Sequence, residues 1–482
     1  MSDSSAASAH RTTAVALFGS LGLALVALAL VPAPHHGDLS ALASGLRWWT
    51  VVPFALLLAC IAIAPLAVPK AWEHNSVKAT VCLGLALPVC IYLAAAFGPT
   101  GVSQLVEKAK EYVSFLCLLA SLFVISGGIV VRGSLSGTPL MNTALLAIGA
   151  LLANLVGTTG ASMLLIRPLL RANATREKKA HVIVFFIFIV ANCGGLLTPL
   201  GDPPLFLGFL KGVPFEWTLQ RLFLPWLLVN GLLLVVFQIL DQGIFNAEEA
   251  RRPGSQLEEV MKHEPLRIEG LFNLGLLSLV VLIIFASGRG LFLGGDGWPF
   301  GWQEGAMLAL AVVSFLATSN RLHTDNGFSF APIVEVAVLF AGIFATMAPA
   351  LLLLNAQGPS LGLSRPWHFF WATGSLSSFL DNAPTYLTFA ATAAGLQGIG
   401  AEGRYLAQLL STGEGPKLLA AISAGAVMMG ANTYIGNGPN FMVKAVAESS
   451  GVKMPSFFGY MAYSALFLIP VFVVVTLVFF AA

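Results

Sequence analysis

Thr198-Pro-Leu-Gly-Asp-Pro-Pro204 decides how this chain folds, because no ordinary membrane-spanning helix carries such a run. It follows the apolar stretch 182–190 and Ala191-Asn-Cys-Gly-Gly195, so prolines, glycines and a carboxylate fall where a helix should be crossing a bilayer. Proline cannot donate the helical hydrogen bond, and backbone groups released at that depth survive only against protein or a watery cavity. An ionisable residue in such a break marks a functional site, and Asp202 is that residue. A second stretch of the same kind, Ala431-Asn-Thr-Tyr-Ile-Gly-Asn-Gly-Pro-Asn440, lies in the other half of the chain. Paired interruptions in corresponding halves point to the substrate site of a secondary transporter.

Working outward, 57% of the 482 residues are hydrophobic and 10% are charged, against roughly 25% charged in soluble domains. The fold class expected is an all-α polytopic membrane protein. A net charge of +2, scattered among loops, excludes a nucleic-acid partner, which needs a basic stripe or patch. Cys60, Cys82, Cys90, Cys117 and Cys193 lie in apolar segments without pairing or metal-ligand spacing and read as small hydrophobes. No cofactor is expected beyond sodium and protons as coupling or transported ions. His-Glu-x-x-His does not occur, and an enzyme is not expected.

Runs of about 20 apolar residues span a bilayer as a helix, and eleven fit: 14–32, 49–68, 79–97, 111–131, 180–210, 219–241, 268–288, 304–320, 331–355, 417–443 and 457–480. Two more apolar stretches, 139–171 and 365–395, are interrupted by Gly157-Thr-Thr-Gly-Ala-Ser162 and Asp381-Asn-Ala-Pro-Thr385. Each half is too short to cross, so each stretch is predicted to enter, turn and leave by the same side as a re-entrant hairpin. The positive-inside rule places the amino terminus in the cytoplasm, with 16 of 25 basic residues on that side. The cell inner membrane is the expected location.

The order helix, hairpin, broken helix, helix occurs twice. Ala191-Asn192 lies over Ala431-Asn432 at an offset of 240, and Gly160-Ala161 over Asn382-Ala383 at 222. An odd number of intervening spans makes the copies antiparallel, an inverted repeat. The expected organisation is a disordered tail at 1–13, an extra first helix and loop at 14–48, a first repeat at 49–241, a polar cytoplasmic linker at 242–267 and a second repeat at 268–482.

Four polar clusters are expected to meet: the hairpin tips at Thr158, Thr159 and Ser162 and at Asp381, Asn382 and Thr385, and the breaks carrying Asn192, Thr198 and Asp202 and carrying Asn432, Thr433 and Asn437. Hydroxyl, amide and carboxylate oxygens are hard ligands that suit sodium, and Asp202 and Asp381 are its expected anchors. No lysine or arginine lies in these clusters. Competition of sodium and a proton for one carboxylate gives obligatory exchange. Glu111 and Glu335 are further candidates for proton access.

The chain resembles the ion transporter superfamily. Asn192-Cys-Gly-Gly-Leu-Leu-Thr-Pro-Leu-Gly-Asp202 is similar to the motif of NhaD-type sodium/proton antiporters, in which two glycines precede Pro-x-Gly-Asp, and Leu380-Asp-Asn-Ala-Pro384 to their Asp-Asn-x-Pro hairpin. Related proteins are labelled citrate transporters. The resemblance implies a homodimer, elevator-like movement of a hairpin-bearing domain, and ion binding at Asp202, Asp381 and Asn382. The chain departs from the antiporters in carrying Thr159-Gly160 where their first tip often has Asp-Asn. The expected activity is sodium/proton antiport, with sodium- or proton-coupled transport of citrate or another di- or tricarboxylate as the alternative.

Overall fold

The computed structural model describes residues 2–31, 39–134, 136–254, 264–294 and 297–481. In chain order its main helices are α1 (Ser2–Ala29), α2 (Leu39–Gly45), α3 (Val52–Ala67), α4 (Asn75–Gly127), α5 (Pro139–Ala172), α6 (Ala180–Ile189), α7 (Pro203–Leu210), α8 (Trp217–Arg251) and α9 (Leu271–Gly288). They continue with α10 (Trp302–Ala317), α11 (Ala331–Gln357), α12 (Pro366–Ser377), α13 (Asn382–Leu396), α14 (Gly415–Met429), α15 (Gly438–Ser449) and α16 (Phe457–Phe480, with two π turns). Two strands, β1 (Val130–Ser134) and β2 (Glu264–Glu269), pair antiparallel with Val130 opposite Glu269. Among the described residues eight helices are long and apolar enough to cross a membrane, and Ala180–Leu196 and Trp302–Ala317 are shorter apolar stretches. The chain is an all-α multi-pass membrane protein.

Two of the long helices fold back on themselves. In α4, Gly98 adopts φ +52°. Cys82 Sγ and Tyr112 OH then reach the carbonyls of Leu339 and Ala337, two residues apart on α11. A straight helix would hold residues 82 and 112 roughly 45 Å apart. In α5 the turn is Gly157 at φ +77°. Asn142 Nδ2 donates to Asn173 Oδ1 at 2.9 Å, although 31 residues of unbroken helix would separate them by roughly 46 Å. Residues 139–172 are therefore a hairpin that ends where it began. The second hairpin is α12, a turn at 378–381, and α13. Asn355, shortly before it, bonds to the carbonyls of Ala391 and Ile399 at its far end, so this segment also returns to its starting side.

The element that carries the Asp202 run is buried on every face. Residues 182–189 of α6 are at most 1% exposed, as a helix that is apolar all round requires. Its spanning stretch is interrupted between Ile189 and Pro203, and that of 417–443 between Met429 and Gly438.

Several boundaries differ from expectation. The first helix begins at Ser2, within the stretch expected to be a disordered tail. Residues 242–251 of the expected linker continue α8, residues 264–267 belong to β2, and 255–263 lie outside the described residues. The span expected at 304–320 is shorter and earlier, Trp302–Ala317, because Glu304 closes its first turn on the Gly301 amide. Cys60 and Cys90 are half-buried and the other three cysteines buried, all as free thiols.

Candidate functional site

Asp202 precedes two prolines and is held extended, with φ −146° and ψ 144°, as the residue before proline must be. It occupies the N-cap position of α7, where an aspartate ordinarily accepts from the helix amides. Here its side chain makes no such bond, since proline at the first helical positions removes donors. The carboxylate turns outward instead. Thr158 Oγ1 donates to its Oδ1 at 2.9 Å, Asn382 Nδ2 to its Oδ2, and Asn437 Nδ2 to Oδ1 at 3.4 Å. Both hairpin tips and both breaks thus meet at one buried carboxylate.

The second break repeats this local structure. Asn437 has φ −153° and ψ 139°, caps α15 without a side-chain cap bond, and is followed by Gly438-Pro439. Gly195 and Gly201 approach so closely that a Cβ on Gly201 would lie 2.2 Å from the Gly195 oxygen, and a Cβ on Gly436 would lie 2.6 Å from the Gly430 oxygen. Superimposing these glycines sets the repeat at an offset of 235, matching Gly195, Thr198, Gly201, Asp202 and Pro204 to Gly430, Thr433, Gly436, Asn437 and Pro439. The offset of 240 read from Ala191-Asn192 is corrected; a break contains turns whose register apolar identities do not report.

Hydrogen bonds confirm the corrected register. Thr198 Oγ1 donates to the Asn154 carbonyl at 2.5 Å, and Thr433 Oγ1 donates to that of Ser378. Asn154 Nδ2 donates to Gly194 O at 2.7 Å, and Ser378 Oγ to Met429 O at 3.2 Å. Leu197 N reaches Asn154 Oδ1, and Asn432 Nδ2 reaches Ser378 Oγ. The carbonyl ends of the half-helices are tied off by side chains in this way. The amino ends of four others, the second arm of α5 at Thr158, α7, α13 and α15, begin at or beside the residues gathered around Asp202. Helix amino ends carry a partial positive charge that favours an anion.

The remaining expected residues divide. Asn192 is buried in an amide chain: its Nδ2 donates to Asn440 Oδ1 at 2.7 Å, and its Oδ1 accepts from Asn437 Nδ2 at 3.1 Å. Ser162, one turn after Thr158, buries a hydroxyl with no hydrogen-bond partner, and so does the Asn382 carbonyl oxygen. Thr159 lines a cavity of about 80 Å³ beside Asp202, which Leu122 of α4 and Ile333 of α11 also line. No lysine or arginine lines it. Asp381 makes no hydrogen bond to the Asp202 cluster; its Oδ1 caps α13 by accepting from Ala383 N at 3.0 Å. Thr385 bonds to the Asp381 carbonyl within its own helix. Thr198, Asn432 and Thr433 hold the breaks to the tips. Glu111 and Glu335 are ion-paired, Glu111 with Lys108 and Lys211 and Glu335 with Lys78. Among the described residues no group of three or more His, Cys, Asp or Glu could hold a metal.

Residues 43–480 match the family described as "Putative citrate transport". This chain belongs to that family. Nearly the whole helical array, including both hairpins and both breaks, falls within the match, and the protein is a membrane transporter of this family. Curated proteins offer no match. Reading the sequence missed Asn154 and Ser378, the two residues that clamp break to tip. Their signal was present: each lies four positions before a donor to Asp202, at a common offset of 224 (Asn154 with Ser378, Thr158 with Asn382).

Proposed function

We propose that the protein is a secondary active transporter of a small carboxylate, of the citrate class, coupled to sodium or protons. The observation that carries this reading is the convergence of four helix amino ends on one buried carboxylate. The amino ends favour a carboxylate substrate without any lysine or arginine. Asp202, with the unpartnered oxygens of Asn382 and Ser162, supplies hard oxygen ligands for a coupling cation, which offsets repulsion between Asp202 and the substrate. The family's description agrees with the carboxylate. Alternating exposure follows if the unit bearing the hairpins shifts against α4 and α11, whose side chains line the cavity. Elevator-like movement, a homodimer, residence in the inner membrane and a cytoplasmic amino terminus complete the proposal. The basic-residue count in the loops supports the orientation.

The second reading is sodium/proton antiport, favoured by a cavity that is small and without a basic residue. Proteoliposomes separate the two. Saturable citrate uptake driven by a sodium or pH gradient supports the first. Sodium-dependent proton exchange at an undiminished rate without any carboxylate, together with no citrate uptake, overturns it.

A further inference from the structure

A second cavity, of about 310 Å³, lies at the end of α7 away from Asp202. Phe206 lines the Asp202 cavity and Phe209 lines this one, and their rings stack with centroids 6.0 Å apart. A stacked aromatic pair on α7 therefore links the wall of one chamber to the wall of the other. The charges around the larger one are mostly spent on each other. Lys211 Nζ is 3.0 Å from Glu107 and 2.5 Å from Glu111, and Lys108 Nζ is 3.0 Å from both Glu111 oxygens. Glu304 accepts from Ser114 Oγ at 2.5 Å and from the Gly301 amide at 2.8 Å. Every carboxylate there among the described residues already has donors.

Two donors are left over. Lys110 Nζ lies 5.6 Å from the centre of the Phe300 ring and has no carboxylate partner among the described residues. Gln303 is only 5% exposed and its Nε2 has no hydrogen-bond partner. A buried donor without an acceptor is unfavourable, and a ligand that brings acceptors removes that cost. Among the described residues the cavity wall carries Lys110, Lys211 and Arg404 beside Glu107, Glu111 and Glu304, and Glu111 is shared by Lys211 and Lys108. The spare donors select an anion with acceptor oxygens.

We infer that this cavity is a receiving site for the carboxylate, in which Lys110 and Gln303 hold one carboxylate group before the substrate passes the Phe206–Phe209 pair to Asp202. The inference rests on the carboxylate reading of the Asp202 centre. Trp298 lines the same cavity, so occupancy can be read without transport. In the purified full chain, citrate is expected to change the fluorescence that Trp298→Phe removes. The half-saturating citrate concentration should rise about tenfold in Lys110→Ala and in Gln303→Leu, and Lys110→Arg should restore it. In proteoliposomes the same two variants should raise the half-saturating concentration for uptake far more than they lower the maximal rate. A citrate response independent of Trp298, or unchanged half-saturation in both variants, overturns the receiving site. If citrate alters Trp298 fluorescence as expected but is not taken up, the receiving site stands and the transport reading falls.

Discussion

Replacing Asp202 by asparagine separates the charge of the centre from its shape. Three donors, from Thr158, Asn382 and Asn437, point at the carboxylate. An asparagine offers one acceptor oxygen and one amide nitrogen in nearly the same volume. The nitrogen finds an acceptor locally, because the Asn382 oxygen has no partner now and turns toward it when the Asn382 amide flips. The structural cost is thus about one rearranged hydrogen bond, roughly 0.5–1.5 kcal/mol, and the variant should fold and insert. The loss to a bound cation is larger. A unit charge at about 4 Å from the carboxylate, at an effective dielectric of about 20, gains about 4 kcal/mol, equivalent to roughly a thousandfold in affinity. Asp202→Asn should keep its melting temperature in detergent within a few degrees and lose the sodium or proton dependence of transport in proteoliposomes. Gradient-driven transport within tenfold of the wild-type rate, with its cation dependence intact, would refute this assignment of Asp202.

Gly201→Ala should sharply lower the yield of folded protein, since its Cβ would overlap the Gly195 carbonyl oxygen at 2.2 Å; Gly438→Ala, with open space around it, is the control and should melt like the wild type. Lys211→Met leaves Glu107 and Glu111 without a cation they share, and should destabilise by about 3–5 kcal/mol, as removal of one partner from a buried pair does. Adding Glu111→Met should recover part of the loss in thermal melts, and no recovery would count against the pair. Cysteines introduced at 142 and 173 should be joined by a short thiol-reactive cross-linker, because the hairpin brings Asn142 and Asn173 into hydrogen-bond contact; failure to cross-link in folded protein would contradict the fold-back at Gly157.

The hairpins and breaks were legible because each is written in residues that helices in lipid cannot hold. Gly157 in the first tip takes a positive φ, Asp381 caps the second, and Pro203-Pro204 restarts a helix after Asp202. The roles of particular polar residues were less legible. Thr385 and Asp381 look like ligands in sequence but satisfy their own helix. Asn154 and Ser378 look like ordinary helix residues, yet their side chains fasten each tip to its break. A polar side chain near a helix end can serve the local backbone or a distant partner, and only the packing of elements far apart in sequence chooses between them.

By itself the sequence determined that this chain is a polytopic membrane protein with two hairpins and two interrupted helices centred on Asp202. Its hydrophobic runs, helix breakers and two acids with no base beside them, Asp202 and Asp381, are local properties, and local properties suffice for that. The tertiary structure decided the register of the repeat, Asp202 opposite Asn437, and the convergence of helix amino ends on one carboxylate. It also brought together the spare donors of Lys110 and Gln303 around a second cavity. These depend on which helices lie side by side and on which donors remain after every pairing is made. Neither property resides in any single stretch of the chain.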